Sequence, residues 1–442
     1  MTPSLPTLPI LQTVRALLAD PGFLARHRST PQAFTRQRKL PFDRVVLLVL
    51  QKSLKSLQLR LHEFFAQLAG ATAADAATPG AWTQARAKLR HRAFIELNEA
   101  AVLAPLEAAP AALALWQGHR LLSFESSLLR LPAHAPLWAH FGGQEARNQS
   151  GDGGVCVPQA RLSVLYDVLN ELGLDTRLEG WKTGEVALAT AQLGAVRTGA
   201  VVLIDRGYAG QAFFARIVAG GAHFVGRCPR QSFAAAAALF ERDEAGVSET
   251  VTLAAPASAR AAGRSAGLRV RLVTVRLSTG ELEVLATSLL DEARYPGDCF
   301  GPLYAERWGI ETSYGALKGR LDLENFSGQT VEAVLQDVHA AVFLSNLESV
   351  IAAQAAPALP RVGEGRRRHA AAINRAVSFH ALKSRVLDLL LGPAPLEEVL
   401  AELCALFVVH PVSVRPGRCP PRRAPSPARS HHFHKRVRKI VF

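Results

Sequence analysis

The sequence predicts an α/β core interrupted by a β-rich insertion, with a helical region before it and a basic tail after it. Three observations carry the prediction. Between about residues 121 and 204, short apolar runs ending in polar turns alternate with an Ala-rich helical stretch, the pattern of strands separated by helices. Three further β-rich stretches, 247–253, 268–275 and 282–289, crowd between about residues 223 and 292. The residues before about 110, and the stretches 301–321 and 331–353, read as helices. A chain of 442 residues is too long for one ordinary core. The expected segments are a helical region at 1–110, a first core segment at 111–222, an inserted β-subdomain at 223–292, a second core segment at 293–355, and a helical stretch with a basic tail at 356–442.

Each element has a local reason. Asp43 opens a helix expected over 43–57, whose centre, 45–50, is apolar all round and therefore reads as buried. Periodicity alone leaves a buried strand open there. Thr78 suits a helix N-cap, with Pro79 at the first helical position. Behind it, Gln84, Arg86, Lys88, Arg90 and Arg92 make a strongly basic helix. The run 121–124 is a short strand ending at Glu125. Residues 162–169 and 172–178 are strands joined by a turn at Asn170-Glu171, and 185–196 is helical. The apolar run 201–204 is too short for a helix and ends at Asp205-Arg206-Gly207. A short helical stretch covers 381–391, and no acid follows Glu402.

Composition narrows the function classes. Lys and Arg number 51 against 37 Asp and Glu, a net charge of +14, which points to a polyanionic partner. A membrane-spanning role is disfavoured: the apolar stretch 340–347 is interrupted by Ser345 and Asn346 and falls well short of the roughly 20 residues a spanning helix needs. The first residues are proline-punctuated and lack the basic start of a signal peptide. Five scattered cysteines without a C-x-x-C pair read as thiols in a reducing compartment. The expectation is a cytoplasmic protein that binds nucleic acid. Arg86, Lys88 and Arg90, beside Arg36, Arg38 and Lys39, are its expected phosphate-contacting surface; a solvated face is the alternative for a single charged helix. Arg366, Arg367, Arg368 and the closing Lys435, Arg436, Arg438 and Lys439 add to it. His431, His432 and His434 read as part of a solvated tail rather than a metal site.

The informative helix runs through 304–318. Tyr304, Arg307, Glu311 and Lys318 are three, four and seven residues apart, so at about 3.6 residues per turn they share one stripe. Ile310 and Leu317 lie to one side, suited to core packing, and Trp308 borders the other. By spacing alone, Arg307 and Glu311 could equally be an exposed i,i+4 ion pair.

These four residues, with Trp308 and Ile310 among them and Phe326-Ser327-Gly328-Gln329-Thr330 after them, resemble the signature of the insertion sequence 4 group of DDE transposases. Asp205-Arg206-Gly207-Tyr208 is similar to that family's second acidic motif, and stretches 35–42 and 84–89 are similar to its N-terminal region. The resemblance implies a ribonuclease-H-like core and a bacterial enzyme, nucleoid-associated, that cuts and rejoins DNA at the terminal inverted repeats of its element and at target DNA. It implies a homodimer that pairs two ends. It implies that Glu125, Asp205 and Glu311 hold two Mg²⁺ ions, with Mn²⁺ able to substitute, and that Tyr304, Arg307 and Lys318 contact DNA near the cut. Such chemistry suits the residues: phosphodiester cleavage spreads negative charge over oxygens, and carboxylate-held divalent ions stabilise it.

The sequence departs from the family at one position. In Ser123-Phe124-Glu125-Ser126-Ser127, Glu125 stands where the first Asp is expected, and it is the only acid between Glu107 and Glu145. Its extra methylene moves the carboxylate by roughly 1.5 Å, and a misplacement of about 1 Å can lower a rate on the order of a hundredfold. The alternative function is therefore a DNA-binding remnant that recognises ends and cuts them poorly. A nuclease on the same core is a third reading.

Overall fold

A computed structural model of the chain describes residues 6–36, 38–53, 55–68, 75–146, 155–254, 267–277, 279–363 and 368–415. The chain divides into two compact units, one of Met1–Leu113, Leu128–Ala160 and Gly315–Phe442, the other of Ala114–Ser127 and Arg161–Tyr314.

The second unit is built on a sheet. Its strands are β1 (Leu121–Arg130), β3 (Val155–Asp167), β4 (Leu172–Gly180), β5 (Val201–Ile204), β6 (His223–Arg227), β7 (Ser248–Leu253), β8 (Leu268–Arg276) and β9 (Leu282–Thr287); β2 is Gly143–Ala146, in the first unit. The order is β4-β3-β1-β5-β6-β9-β8-β7. β1 and β5 run parallel, with Leu121 opposite Val201 and Ser123 opposite Leu203. β5 and β6 are parallel as well, and β6 pairs antiparallel with β9. The stretch expected as an insertion is β-rich as anticipated, but its strands continue the same sheet, and it also holds a helix, Ala234–Arg242. One face is covered by the Gln211–Ala219 helix. Its Phe213, Phe214 and Ile217 join Phe124, Val202 and Phe224 in a buried cluster, and the Phe214 and Phe224 rings stack at 4.1 Å. Gly226 leaves room for that helix, since a Cβ there would lie 2.9 Å from the Phe214 ring.

The first unit is mostly helical; its strands are β2, which pairs antiparallel with the start of β3, the adjoining ends of β1 and β3 (128–130 and 155–160), and a two-stranded pair, Ala371–Ala372 with Val412–Ser413. The helix expected over 43–57 is Phe42–Leu50, buried as expected; Ser56 then caps a separate helix, Leu57–Ala66, accepting from the Leu59 amide. Thr78 caps Pro79–Arg86, its Oγ1 accepting from the Ala81 amide at 3.2 Å. That helix stops at Arg86, so Lys88, Arg90 and Arg92 do not continue its face. Val331–Ala355 is buried on nearly every side and packs on the helices Phe42–Leu50, Arg92–Glu96, Arg375–Leu390 and Leu396–Val409. Its buried surface includes polar side chains, Gln336, Asp337, Asn346 and Glu348, as well as apolar ones, so helices pack on it from several sides. Arg366, Arg367 and residues 416–442, with their histidines and cations, lie outside the described residues. Among the described residues, no helix is long and apolar enough to cross a membrane.

Candidate active site

Sheet register places the first two acids. The β1–β5 pairing sets Ser123 opposite Leu203, and continuing it two residues brings Glu125 level with Asp205, just past the carboxyl end of β5. The chain leaves β1 for β3 and β4 on one side and returns as β5 on the other, so these acids stand where strand order reverses. In open α/β sheets that crevice is where ligands bind.

The expected helix supplies the rest, with a break. It divides into Phe300–Ala305 and Trp308–Gly319, and the join is bridged by tight three-residue hydrogen bonds, Arg307 N–H to Tyr304 O and Gly309 N–H to Glu306 O. Gly309 belongs there because a Cβ would meet Val168 Cγ1 at 2.8 Å. The stripe survives the break. Tyr304 is buried, and its hydroxyl donates to the Ile204 carbonyl at 3.3 Å and to Asp205 Oδ1 at 3.5 Å. Arg307 is only 4% exposed. Its Nη2 donates to Glu311 Oε1 at 2.9 Å and its Nη1 to Glu125 Oε2 at 3.5 Å. The guanidinium also lies over the Tyr304 and Trp308 rings, 5.8 and 5.2 Å from their centroids. Trp308 itself is 50% exposed. Glu125, Asp205, Tyr304, Arg307 and Glu311 thus come together in one unit.

Electrostatics mark Glu125. Burial pushes its carboxyl up to about 7 from an ordinary 4.5; Arg307 opposes the rise, and the charges of Asp205 and Glu311 add to it. Arg307 is held above its usual value despite burial, by Tyr304 and Glu311. A raised acid pKa means the folded state favours the protonated form. The stability it contributes is fully present below about 4.5 and is lost as pH rises through about 7. Glu125→Gln removes that loss. Between pH 5 and pH 8 its melting temperature should gain on the parent's by the equivalent of up to about 3 kcal/mol. An identical gap at both pH values would mean the carboxyl titrates normally.

Two features were missed in the sequence. Tyr314 lies on the same stripe, three residues after Glu311, a spacing that could have found it; its hydroxyl donates to the carbonyls of Glu125 and Leu162 and so pins β1 beside β3. The other is an ion pair without a sequence signal. Glu185 Oε1 accepts from Arg161 Nη1 and from Ser126 Oγ at 2.7 Å, fixing the residue after Glu125.

The remaining expected residues belong to the helical unit. Lys318 Nζ donates to the Leu128 carbonyl at 3.1 Å, and burial lowers its pKa. Arg86 corrects the expectation of a DNA-contacting side chain. It is buried, and its guanidinium is consumed by Asp337 Oδ1 at 2.8 Å, Gln336 Oε1 at 2.7 Å and Ser327 Oγ at 2.6 Å. Lys88 is half-buried and Arg90 exposed. Lys88 lines a cleft of about 920 Å³ together with Arg36, Arg38 and Lys39, and among the described residues no acid lines it.

Hard divalent cations take carboxylate oxygens, and Glu125 within β1 and Asp205 just past the end of the adjacent β5 bring such donors side by side. The donor chemistry therefore fits. The grouping is not closed: among the described residues, no three His, Cys, Asp or Glu side chains stand together as a metal site, and Arg307 reaches both Glu125 and Glu311.

Residues 116–347, just over half of the chain, match the family model described as the transposase DDE domain. Among solved structures, the chain is similar to a piggyBac transposase seen by cryo-electron microscopy in a synaptic complex with hairpin DNA, with 11% identity and a TM-score of 0.40 over 91% of this chain and 82% of that one. No curated protein matches.

Proposed function

The chain belongs to the transposase DDE domain family, and on that premise we propose that it is the transposase of a bacterial insertion sequence, cutting DNA ends and joining them to a target on a ribonuclease-H-like core. The observation that carries this reading is Arg307 reaching both Glu125 and Glu311 beside the strand-order reversal where Asp205 stands. In this reading the three carboxylates hold divalent cations, Mg²⁺ or Mn²⁺. When bound, such ions stabilise the attacking and leaving oxygens of phosphodiester cleavage. The chain's own residues supply position. Tyr304 holds the Asp205 carboxylate through its hydroxyl, and Tyr314 and Ser126 fix the backbone that presents Glu125. Trp308 offers an exposed ring at the rim for a base or sugar. The enzyme works as a homodimer that pairs two ends. Incubated with Mg²⁺ and DNA carrying its element's terminal repeats, the protein should release cut ends; intact DNA would refute the reading, leaving the binding remnant.

The basic cleft of Arg36, Arg38, Lys39 and Lys88, with Arg90 nearby in sequence, is the surface we assign to phosphate binding. Replacing Lys88 and Arg90 by Ala should flatten the salt dependence of end binding, with a log–log slope change of roughly 0.9 for each phosphate no longer neutralised. An unchanged slope in the folded double variant would take these two residues off the DNA.

A further inference from the structure

Arg307 stands among the site carboxylates as a metal cation would. Its two terminal nitrogens are divided between acids from different elements, Glu125 on β1 and Glu311 on the following helix. Its Nε, by contrast, is buried and has no hydrogen-bond partner among the described residues. Buried donors are usually satisfied, so this one leaves the guanidinium's hold on the site incomplete. The guanidinium lies 5.2 Å from the centroid of the Trp308 ring, which is half exposed, so one of the two rings against it reaches the surface. A divalent ion and a guanidinium cannot both sit against the same half-buried carboxylates without repulsion. A phosphodiester offers the guanidinium an equally good partner, because its planar fork pairs with two phosphate oxygens.

We propose that Arg307 holds the cation position of the Glu125–Asp205–Glu311 group in the DNA-free protein and yields it to a DNA phosphate, so that divalent cation and DNA bind cooperatively. This rests on the metal-dependent reading of the site. Cooperativity follows by linkage: whatever moves Arg307 outward raises affinity for the ion, and the ion raises affinity for DNA by the same factor.

The test reads Mn²⁺ occupancy of the full chain from the electron paramagnetic resonance of free Mn²⁺, without turnover. In the absence of DNA, Arg307→Gln should bind Mn²⁺ about tenfold tighter than the parent. A short DNA duplex of arbitrary sequence should tighten Mn²⁺ binding to the parent by a similar factor and leave Arg307→Gln unchanged. Arg307→Lys, which keeps the charge on a differently shaped head, should fall between, and decides alone if Arg307→Gln fails to fold. Asp205→Asn identifies the site by abolishing the binding. Equal or weaker Mn²⁺ binding by the Arg307 variants would overturn the proposal and leave the metal site standing. Absence of Asp205-dependent Mn²⁺ binding in every protein, with duplex present, would overturn the metal reading and the proposal together.

Discussion

Glu311→Gln should lower end cleavage on the order of a thousandfold while leaving end binding close to the parent's. Carboxylate-held divalent ions are worth several kcal/mol of transition-state stabilisation, and each ~1.36 kcal/mol is a factor of ten in rate. Glutamine keeps the shape of the side chain and can still accept from Arg307 Nη2, which lies 2.9 Å from Glu311 Oε1, so the fold and the approach of DNA are retained. What disappears is the charge. Cleavage and gel-shift measurements on the same DNA, in the same Mg²⁺ buffer, separate the two effects. Parent-like cleavage would remove Glu311 from the chemistry, and a parallel loss of binding would make it a structural residue.

Asp337→Ala should destabilise the helical unit by about 3–5 kcal/mol, the usual consequence of stranding one partner of a buried ion pair. The Asp337 carboxylate is fully buried. Burial alone would raise its pKa, yet Arg86, Lys52 and hydrogen bonds from Ser327 hold it below the usual value. It accepts from Arg86 Nη2 at 2.8 Å and from the Ser327 amide at 2.6 Å, tying the Pro79–Arg86 helix to the start of Val331–Ala355. Removing it leaves a buried guanidinium without its counter-charge. Against a total stability of roughly 5–15 kcal/mol, such a loss is visible as a large fall in the denaturant midpoint. A change below about 1 kcal/mol would mean the pair behaves like a solvated surface ion pair.

What is legible in the sequence, and what is not, divides along physical lines. The run 201–204 is legible in full as β5, because four apolar residues ending in an acid and a glycine leave little else to form. β1 is legible only to Phe124, since Glu125, Ser126 and Ser127 break the apolar run; the strand continues to Arg130 through hydrogen bonding that a pattern of side chains does not display. The stripe of Tyr304, Arg307 and Glu311 is visible as spacing. The break at Glu306–Arg307 is not, because periodicity registers where side chains point and not which amide bonds which carbonyl. Arg86 shows the limit most plainly. A charge in a basic helix looks the same in the sequence whether it meets water or an aspartate 251 positions away.

The measurement that bears most directly on the site is cleavage of a cognate end by the parent, Glu125→Asp and Glu125→Ala proteins, in Mg²⁺ and separately in Mn²⁺. Glu125 stands level with Asp205 and reaches Arg307 at 3.5 Å, so its carboxylate faces the residues proposed to do the chemistry. Its length differs from the expected aspartate by one methylene, a displacement large enough to govern the rate. Glu125→Ala should abolish cleavage, and Glu125→Asp should raise it above a low parental rate in Mg²⁺, with a smaller gain in Mn²⁺. Three equal, non-zero rates would contradict the account, leaving Glu125 an ordinary strand residue and the carboxylate cluster without a role in cutting DNA.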